Sequence, residues 1–330
     1  MKIKDLAIGQ VAVVPMVVKS AELRKTKTGK PYLSCEFFDG VDTIPGNFWD
    51  WISTDVPARN MVFNVSAQVT EYNGAKQLNV KKLEPNMDIH ISEFTPSSGL
   101  DIGEIYKNAY DLMSEVQNNI LRTVAIALLE DLRYAWTTVP GAKGIHHAFA
   151  AGTLIHSYSV ARLSNVLAKN IEGANVDLAT VGGMLHDIGK LFTYKIDGIT
   201  IDMTDDGMMF DHTFIGANLL LNFGDTTFTY DTNPRAEDTM KLLVQVVLSH
   251  HGKLEHGAIV TPQCIEAHIV HHADALDANS QMINDAAGKV GYGQWTERIW
   301  VLDNRPAIQP LYVDLLLQND ASTATLQDGE

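Results

Sequence analysis

Three things are scarce in this 330-residue sequence, and each scarcity narrows the reading. Cysteine is the first: Cys35 and Cys264 are the only two, far apart in the chain. A disulfide framework is not expected, and a reducing compartment, the cytoplasm, is the economical location. Long hydrophobic runs are the second. No apolar stretch approaches the ~20 residues that a membrane-spanning helix needs, so no membrane association is expected. Near the N-terminus the run Val11–Val18 is broken by Pro15, and charge alternates with apolar residues before it, so no signal peptide is expected. Positive charge is the third. Lys and Arg number 25 against 40 Asp and Glu, a formal net charge of −15. Proteins bind polyanions largely through Lys and Arg, so this total argues against nucleic acid. A local basic patch can still hide in such a sum, and metal-binding carboxylates contribute to it.

What is present fits a folded protein. Hydrophobic residues make up 45% and charged residues 20%, enough for a sizeable core. The length suggests two domains or three.

The first ninety residues carry β patterns. Tyr32–Phe38 alternates, with Leu33, Cys35 and Phe37 on one face. Met61–Thr70 alternates too, with Phe63, Val65, Ala67 and Val69 inward. Asn73-Gly74 is a two-residue hairpin signal joining that strand to Gln77–Leu83, and Thr28-Gly29-Lys30-Pro31 supplies another turn. Short strands at this spacing predict a small barrel, and an OB-fold fits the strand count. Pro85, Pro96, Ser97, Ser98 and Gly99 then punctuate an aperiodic stretch. From Glu104 the period becomes helical: Ile105, Ala109, Leu112, Val116, Ile120, Val124, Leu128 and Leu132 form one stripe. Further helices are expected over about 147–169, 177–191, 211–223, 237–251 and 263–285, the last with Pro262 in its first turn. Lys195–Met209 reads as a loop or short hairpin. The expected division is a barrel over 1–90, a linker over 91–103, a helical bundle over 104–320 and a frayed tail over 321–330.

The chemistry lies in the helical part. Most of the 12 histidines fall between residues 146 and 272. His186-Asp187 is a doublet within the apolar run Val181–Lys190, and burying such a pair is costly unless its members pair or bind metal. His156 lies on the preceding helix, His212 begins the next, His250-His251 ends another and Asp274 is on the last. Helix bundles build metal sites from facing helices in this way. Mixed imidazole and carboxylate without thiolate suits manganese, iron, cobalt or zinc, with magnesium also allowed. One division puts His156, His186 and Asp274 on a first ion, His212 and His250 on a second, and Asp187 between them. Helix geometry should let only one of His250 and His251 face inward; His250 is preferred and His251 is the alternative. Two ions about 3.5–4 Å apart would generate a hydroxide and stabilise both in-line oxygens at phosphorus. Lys190, four residues after His186, would share its helix face and could neutralise a phosphate oxygen.

Plainer roles compete with these. A lone buried histidine is usually a hydrogen-bonded core residue. The His250-His251 pair could simply favour a helix C-terminus, and Lys190 after Gly189 could be an ordinary helix-end lysine. His146 and His147 could be structural, peripheral or substrate contacts; His147 is kept as a substrate-binding candidate. His271 and His272 fit packing or support of the ligands better than ligation.

The set His156…His186-Asp187…Asp274 resembles the H…HD…D signature of the HD superfamily, and His212 and His250 resemble the added ligands of its two-metal members. Leu185-His-Asp-Ile-Gly-Lys190, Leu248-Ser-His-His-Gly252 and Ala273-Asp-Ala-Leu-Asp277 strengthen the match. An OB-like domain ahead of an HD domain is similar to the YhaM-type 3′→5′ exoribonucleases, over about Asp5–Asn279. Lys30-Pro-Tyr-Leu33, Phe38-Asp39, Phe48-Trp49-Asp50 and Thr204–Gly216 belong to that likeness. The resemblance implies dependence on divalent metal, commonly manganese, and removal of nucleotides from single-stranded 3′ ends. Asp211 departs from it, standing before His212 where glycine is expected.

Lys19, Arg24, Lys25, Lys27 and Lys30 form the densest basic stretch and would project from the first hairpin. Tyr32, Phe38, Phe48, Trp49 and Trp51 offer stacking faces, and OB-folds hold single strands with such sets. Lys25, Lys27, Lys30 and Trp49 are therefore substrate-binding candidates beside Lys190. A lysine-rich hairpin can equally be a solvated edge, and core packing is the leading role for Trp49. The function expected is a dimetal 3′→5′ exoribonuclease on single-stranded RNA, with DNA allowed, in which Asp187 and Lys190 serve catalysis. A phosphohydrolase of free nucleotides or cyclic dinucleotides is the alternative, and a non-catalytic RNA-binding module is the second. A homo-oligomer is compatible with all three.

Overall fold

The computed structural model describes residues 2–49, 51–143, 147–231, 233–299 and 302–309. Five strands come first: β1 (Val11–Lys25), β2 (Pro31–Phe38), β3 (Thr43–Trp49), β4 (Val62–Tyr72) and β5 (Ala75–Pro85). They close a barrel in the order β1-β2-β3-β5-β4, the OB-like arrangement that the strand count suggested. β1 makes closure possible. Its first half pairs with β4 and its second with β2, and the register shifts between Val18 and Ser20. Such a bulge bends a strand round a barrel corner. Asn73 and Gly74 both take positive φ, as a tight two-residue hairpin requires. The inward face alternates as expected, with Leu33, Cys35 and Phe37 buried on β2 and Phe63, Val65, Ala67 and Val69 buried on β4. At Gly46 of β3 a Cβ would sit 2.7 Å from the Phe37 ring, so no side chain fits where that ring fills the barrel.

The helical half contains α1 (Ile102–Ser114), α2 (Asn119–Asp131), α3 (Arg133–Thr138), α4 (Gly152–Lys169), α5 (Val176–Leu185), α6 (Lys190–Thr193), α7 (Asp205–Phe210), α8 (His212–Thr227), α9 (Pro234–Ser249) and α10 (Ile265–Ala287). A short hairpin, β6 (Tyr194–Asp197) and β7 (Thr200–Met203), interrupts it. Three expectations need correction. The stripe from Ile105 to Leu132 is two helices. Asn118 ends the continuity, because its side chain accepts from Ile120 N at 2.9 Å and Leu121 N at 3.2 Å and so starts a new helix. Pro262 lies ahead of the last helix, whose N-cap is Cys264. The run through His186 and Lys190 is also broken: α5 stops at Leu185 and α6 opens at Lys190. The expected tail, 321–330, lies outside the described residues. No helix is long and apolar enough to cross a membrane among the described residues.

Two close approaches set the positions of the histidines. At Gly183 a Cβ would lie 2.9 Å from Ala161 Cα, so α4 and α5 pack with almost no side-chain layer between them. At Gly189 a Cβ would run into the His212 carbonyl, so the start of α8 lies directly on the α5–α6 turn. A further core of Tyr106, Met113, Leu121, Leu129, Trp136, Leu154 and Met184 supports both.

The β6–β7 hairpin reaches the barrel. Ile199 at its turn packs with Val17, Phe38, Val62 and Phe94. Asn60 Nδ2 donates to the Asp197 carbonyl at 3.1 Å, and Arg59 Nη2 to Thr200 Oγ1 at 2.9 Å. Beside this junction the β2–β3 turn is closed by Asp39, which is buried. Its carboxylate accepts from Ile3 N at 2.5 Å and from Val41 N and Asp42 N at 2.8 Å. Asp39→Ala would leave those donors unsatisfied. The expected loss of stability is about 3 kcal/mol, read as a lower denaturant midpoint for the barrel. An unchanged midpoint would show that the turn does not depend on this carboxylate.

Candidate metal centre

The chain delivers its imidazoles from helix ends. His186 follows the last residue of α5 and His250 the last residue of α9. A helix end leaves carbonyls without intrahelical partners, and each ring uses one: His186 Nδ1 donates to Gly183 O at 2.8 Å, and His250 Nδ1 to Val247 O at 2.6 Å. A carbonyl only accepts, so Nδ1 carries the proton and the opposite nitrogen of the neutral ring is a bare lone pair. His156 on α4 is held through Nδ1 by Asp277 Oδ2 at 2.7 Å. His212 is held through Nδ1 by Asp211 Oδ1 at 3.1 Å. All four rings thus present Nε2 to the same place.

That place is Asp187, buried in the turn between α5 and α6. Its Oδ2 lies 3.4 Å from His156 Nε2 and 3.4 Å from His186 Nε2. Its Oδ1 lies 3.3 Å from His212 Nε2 and 3.5 Å from His250 Nε2. One carboxylate oxygen faces each pair of rings. Asp274 on α10 joins the first pair, with Oδ1 3.1 Å from His156 Nε2 and 3.8 Å from His186 Nε2. His251 joins the second: His212, His250 and His251 each bring one nitrogen within 4.8 Å of the others. The expectation that only one of the His250-His251 pair faces inward therefore fails. Both residues lie past the end of α9, where helical spacing no longer applies.

Lone pairs and carboxylate oxygens crowded together repel unless a cation sits among them. His156 Nε2 and His186 Nε2 are 3.2 Å apart. Asp187 Oδ1, His212 Nε2, His250 Nε2 and His251 Nδ1 are buried without a hydrogen-bond partner among the described residues. Protonation trends divide the cluster. Burial pulls the His156 pKa down, but Asp187, Asp274 and Asp277 outweigh it and hold it well above the ordinary imidazole value. Burial and the adjacent His250 push His251 down to about 4. Burial would raise the Asp187 pKa, but Lys190 and His186 outweigh it and hold it well below the usual carboxylate range. The donor set fits divalent cations held by nitrogen and oxygen.

Lys190 does not share a face with His186. As the first residue of α6 it reaches back, with Nζ 2.7 Å from Asp187 Oδ2. His147, a candidate for substrate contact, is buried behind His156, with Nε2 3.0 Å from Asp277 Oδ2. Asp277 entered the sequence reading only as the end of the Ala273–Asp277 stretch, with no role assigned. It takes His147, His156 and Ser159 on one carboxylate, and its only signal was its place three residues after Asp274, on the same face of α10. His271 plays a supporting part, donating from Nδ1 to His250 O at 2.8 Å. Asp211 has φ +62°, a backbone conformation that favours glycine, and its carboxylate also accepts from Thr213 N at 2.9 Å. In the barrel, Lys25, Lys27 and Lys30 are exposed at the tip of the first hairpin. Trp49, for which core packing led, is instead 43% exposed and lies on the Tyr32 ring at a centroid distance of 4.7 Å.

Residues 153–279 match the HD domain family model. The helical half carries an HD domain. Over 323 residues the chain is 26% identical to the 3′-5′ exoribonuclease YhaM of Geobacillus sp. (strain WCH70), covering 96% of this chain and 97% of that protein. The likeness to YhaM-type proteins thus runs through both barrel and HD domain. Among solved structures, a replication protein A domain from Methanococcus maripaludis matches 26% of this chain and 92% of its own length, at 19% identity and a TM-score of 0.23. The HD domain and its imidazole–carboxylate cluster support a metal-dependent phosphohydrolase.

Removing a carboxylate that orients a ligand imidazole typically weakens metal binding 10–100-fold. Asp277→Asn should therefore weaken divalent-metal binding by about that factor, measured by isothermal titration with manganese as the probe and the helical circular dichroism unchanged. Unaltered affinity would take Asp277 out of the centre.

Proposed function

We propose that this protein is a divalent-metal-dependent 3′→5′ exoribonuclease acting on single-stranded RNA, with single-stranded DNA as a further substrate. The observation that carries the chemistry is the division of Asp187. Its Oδ1 faces His212 and His250, whose buried Nε2 atoms have no hydrogen-bond partner among the described residues, and its Oδ2 faces His156 and His186. His156, His186 and Asp274 would hold one ion. His212, His250 and His251 would hold the other, with Asp187 shared. When bound, such a pair supplies an activated water at neutral pH and stabilises charge on the phosphoryl oxygens. Manganese suits the mixed donors and is the metal we favour.

The protein's own residues do the rest. The backbone carbonyls of Gly183 and Val247 fix two rings in the ligating tautomer, and Asp277 and Asp211 orient the other two. Lys190 places a positive charge 2.7 Å from Asp187 Oδ2, at the edge of the cluster. From there it can neutralise a phosphate oxygen as negative charge builds. The polarity and the preference for RNA rest on the likeness to YhaM. Lys25, Lys27, Lys30 and Trp49 suit a strand-holding role, because exposed cations beside an exposed ring are how OB-folds grip single strands. Two unpaired cysteines fit a cytoplasmic setting.

The test is RNA labelled at either end, incubated with manganese, magnesium or a chelator. Mononucleotides should be released from the 3′ end with manganese and not with chelator. Asp187→Ala should lower the rate about 10²–10³-fold, by analogy with loss of a transition-state-stabilising group, while retaining the fold. Hydrolysis of free or cyclic nucleotides with no attack on RNA would overturn the nuclease reading. So would wild-type inactivity with every divalent metal.

A further inference from the structure

A cleft of about 630 Å³ opens where the barrel meets the HD domain, within the range that takes a drug-sized ligand. We propose that it holds the nucleotide chain of the single-stranded substrate on its way to the metal centre. The inference rests on the nuclease reading and adds the path of the strand.

Three observations carry it. The first is charge. The cleft lining includes Lys19 from β1 and Lys143 from the segment before α4, and no carboxylate. In a chain of net charge −15, a concave surface with that lining is the reverse of the average. Lys143 does meet Asp202 Oδ1 at 2.9 Å at the rim, but the pair is exposed and such pairs hold weakly. Lys19 Nζ lies 3.4 Å from Thr43 Oγ1 and near the Phe38 ring, so its ammonium is aimed across the barrel surface. Thr43 and Ser97 add hydroxyls to the lining.

Continuity with the metal centre is the second. Phe149 lines the cleft and is half-buried. Its ring is 5.7 Å from the His147 ring, edge to face. His147 reaches Asp277, which reaches His156. The inner wall of the cleft is therefore one ring away from the residues that orient a metal-facing imidazole. An aromatic there offers a base a stacking face on the barrel side of those supporting residues.

The third is position. The exposed cluster of Lys25, Lys27, Lys30 and the Tyr32–Trp49 pair lies at the far end of β2 from Phe38 and Thr43. Eight residues of strand separate the two ends, roughly 25 Å at about 3.3 Å per residue. The basic tip is too far from the cleft to serve the nucleotides nearest the metals. A strand gripped at the tip would need a second foothold close to the HD domain, and the cleft with Lys19, Lys143 and Phe149 stands there. The junction is fixed by Ile199 and by the Asn60–Asp197 and Arg59–Thr200 bonds, so the foothold keeps its distance from the metals.

The test measures binding of a labelled oligoadenylate by fluorescence anisotropy in chelator, across a salt series. The full-length wild type, the Lys19→Ala/Lys143→Ala double variant, Phe149→Ala and a distant control, Lys107→Ala, are compared. Each phosphate that is no longer neutralised reduces the single-strand salt slope by about 0.7. The double variant should therefore flatten the slope by about 1.4 and weaken binding at least about tenfold at low salt. Phe149→Ala should weaken binding with the slope unchanged, and Lys107→Ala should match the wild type. An unchanged slope and affinity in the double variant would overturn the cleft. Wild-type hydrolysis of bis(p-nitrophenyl) phosphate with manganese is measured in parallel. Its absence would count against the phosphohydrolase reading, whereas its presence with strand binding indifferent to Lys19, Lys143 and Phe149 would count against the cleft alone.

Discussion

Asp187 is the constraint on which the rest of the structure depends. A fully buried carboxylate needs compensation from every side. Lys190 supplies one direct ionic contact at 2.7 Å, and four imidazoles stand 3.3–3.5 Å away with their nitrogens turned inward. To bring rings from α4, α8, α9 and the α5–α6 turn to one carboxylate, the helices must approach more closely than ordinary side chains permit. Gly183 against Ala161 and Gly189 against the His212 carbonyl provide that approach. At Gly252, with φ +78°, a Cβ would run into the His271 ring, whose Nδ1 supports the His250 carbonyl. These glycines are part of the site although none carries a functional group.

What could be read from the sequence divides along physical lines. The barrel strands were legible because burial on one face writes a period of two, as on β2 and β4, and because Asn73-Gly74 names its own turn. The long helical stripe was misleading for a related reason. Burial on one face continues from α1 into α2, so the apolar period runs through the break, and only the capping of Ile120 and Leu121 by Asn118 marks it. The histidines and Asp187 stood out because buried imidazoles beside a carboxylate need a reason. Asp277 did not, since its meaning lies in three partners from 118 to 130 residues away in sequence. His251 was set aside because helical spacing was extended to residues beyond a helix end, and His147, left between structural and substrate-contact roles, lies behind His156. Lys190 was paired with His186 on the same assumption.

The two halves are joined through a small element. The β6–β7 hairpin sits between the turn that bears Asp187 and the helix that begins with His212. Its tip, Ile199, is shared with the barrel core edge formed by Val17, Phe38 and Val62. The barrel is thereby registered against the segment that separates two of the metal-facing residues. An acidic protein can in this way gather cations on one concave surface. Lys19 arrives from β1 and Lys143 from the segment before α4, residues distant in sequence and brought to one cleft by the docking of the hairpin. Net charge describes the whole surface, whereas affinity for a strand depends on the few angstroms around its phosphates, within a Debye length of about 8 Å at physiological salt.

The same cluster that equips the protein for chemistry is a liability to its fold. Lone pairs on His212, His250 and His251 and one oxygen of Asp187 are taken out of water without a protein partner among the described residues, and each such group opposes folding. A proton can relieve part of this at His156, where three carboxylates raise the pKa. It cannot serve both sets of rings, because His250 and His251 shift the other way, burial being the main cause in each. Divalent cations satisfy both sets together. Anything that binds the native state and not the unfolded chain adds to stability, and ligands that must be deprotonated tie that gain to pH. The helices are thus packed around a cluster suited to divalent cations, and under the proposed function metal binding, folding and catalysis would share the same carboxylate.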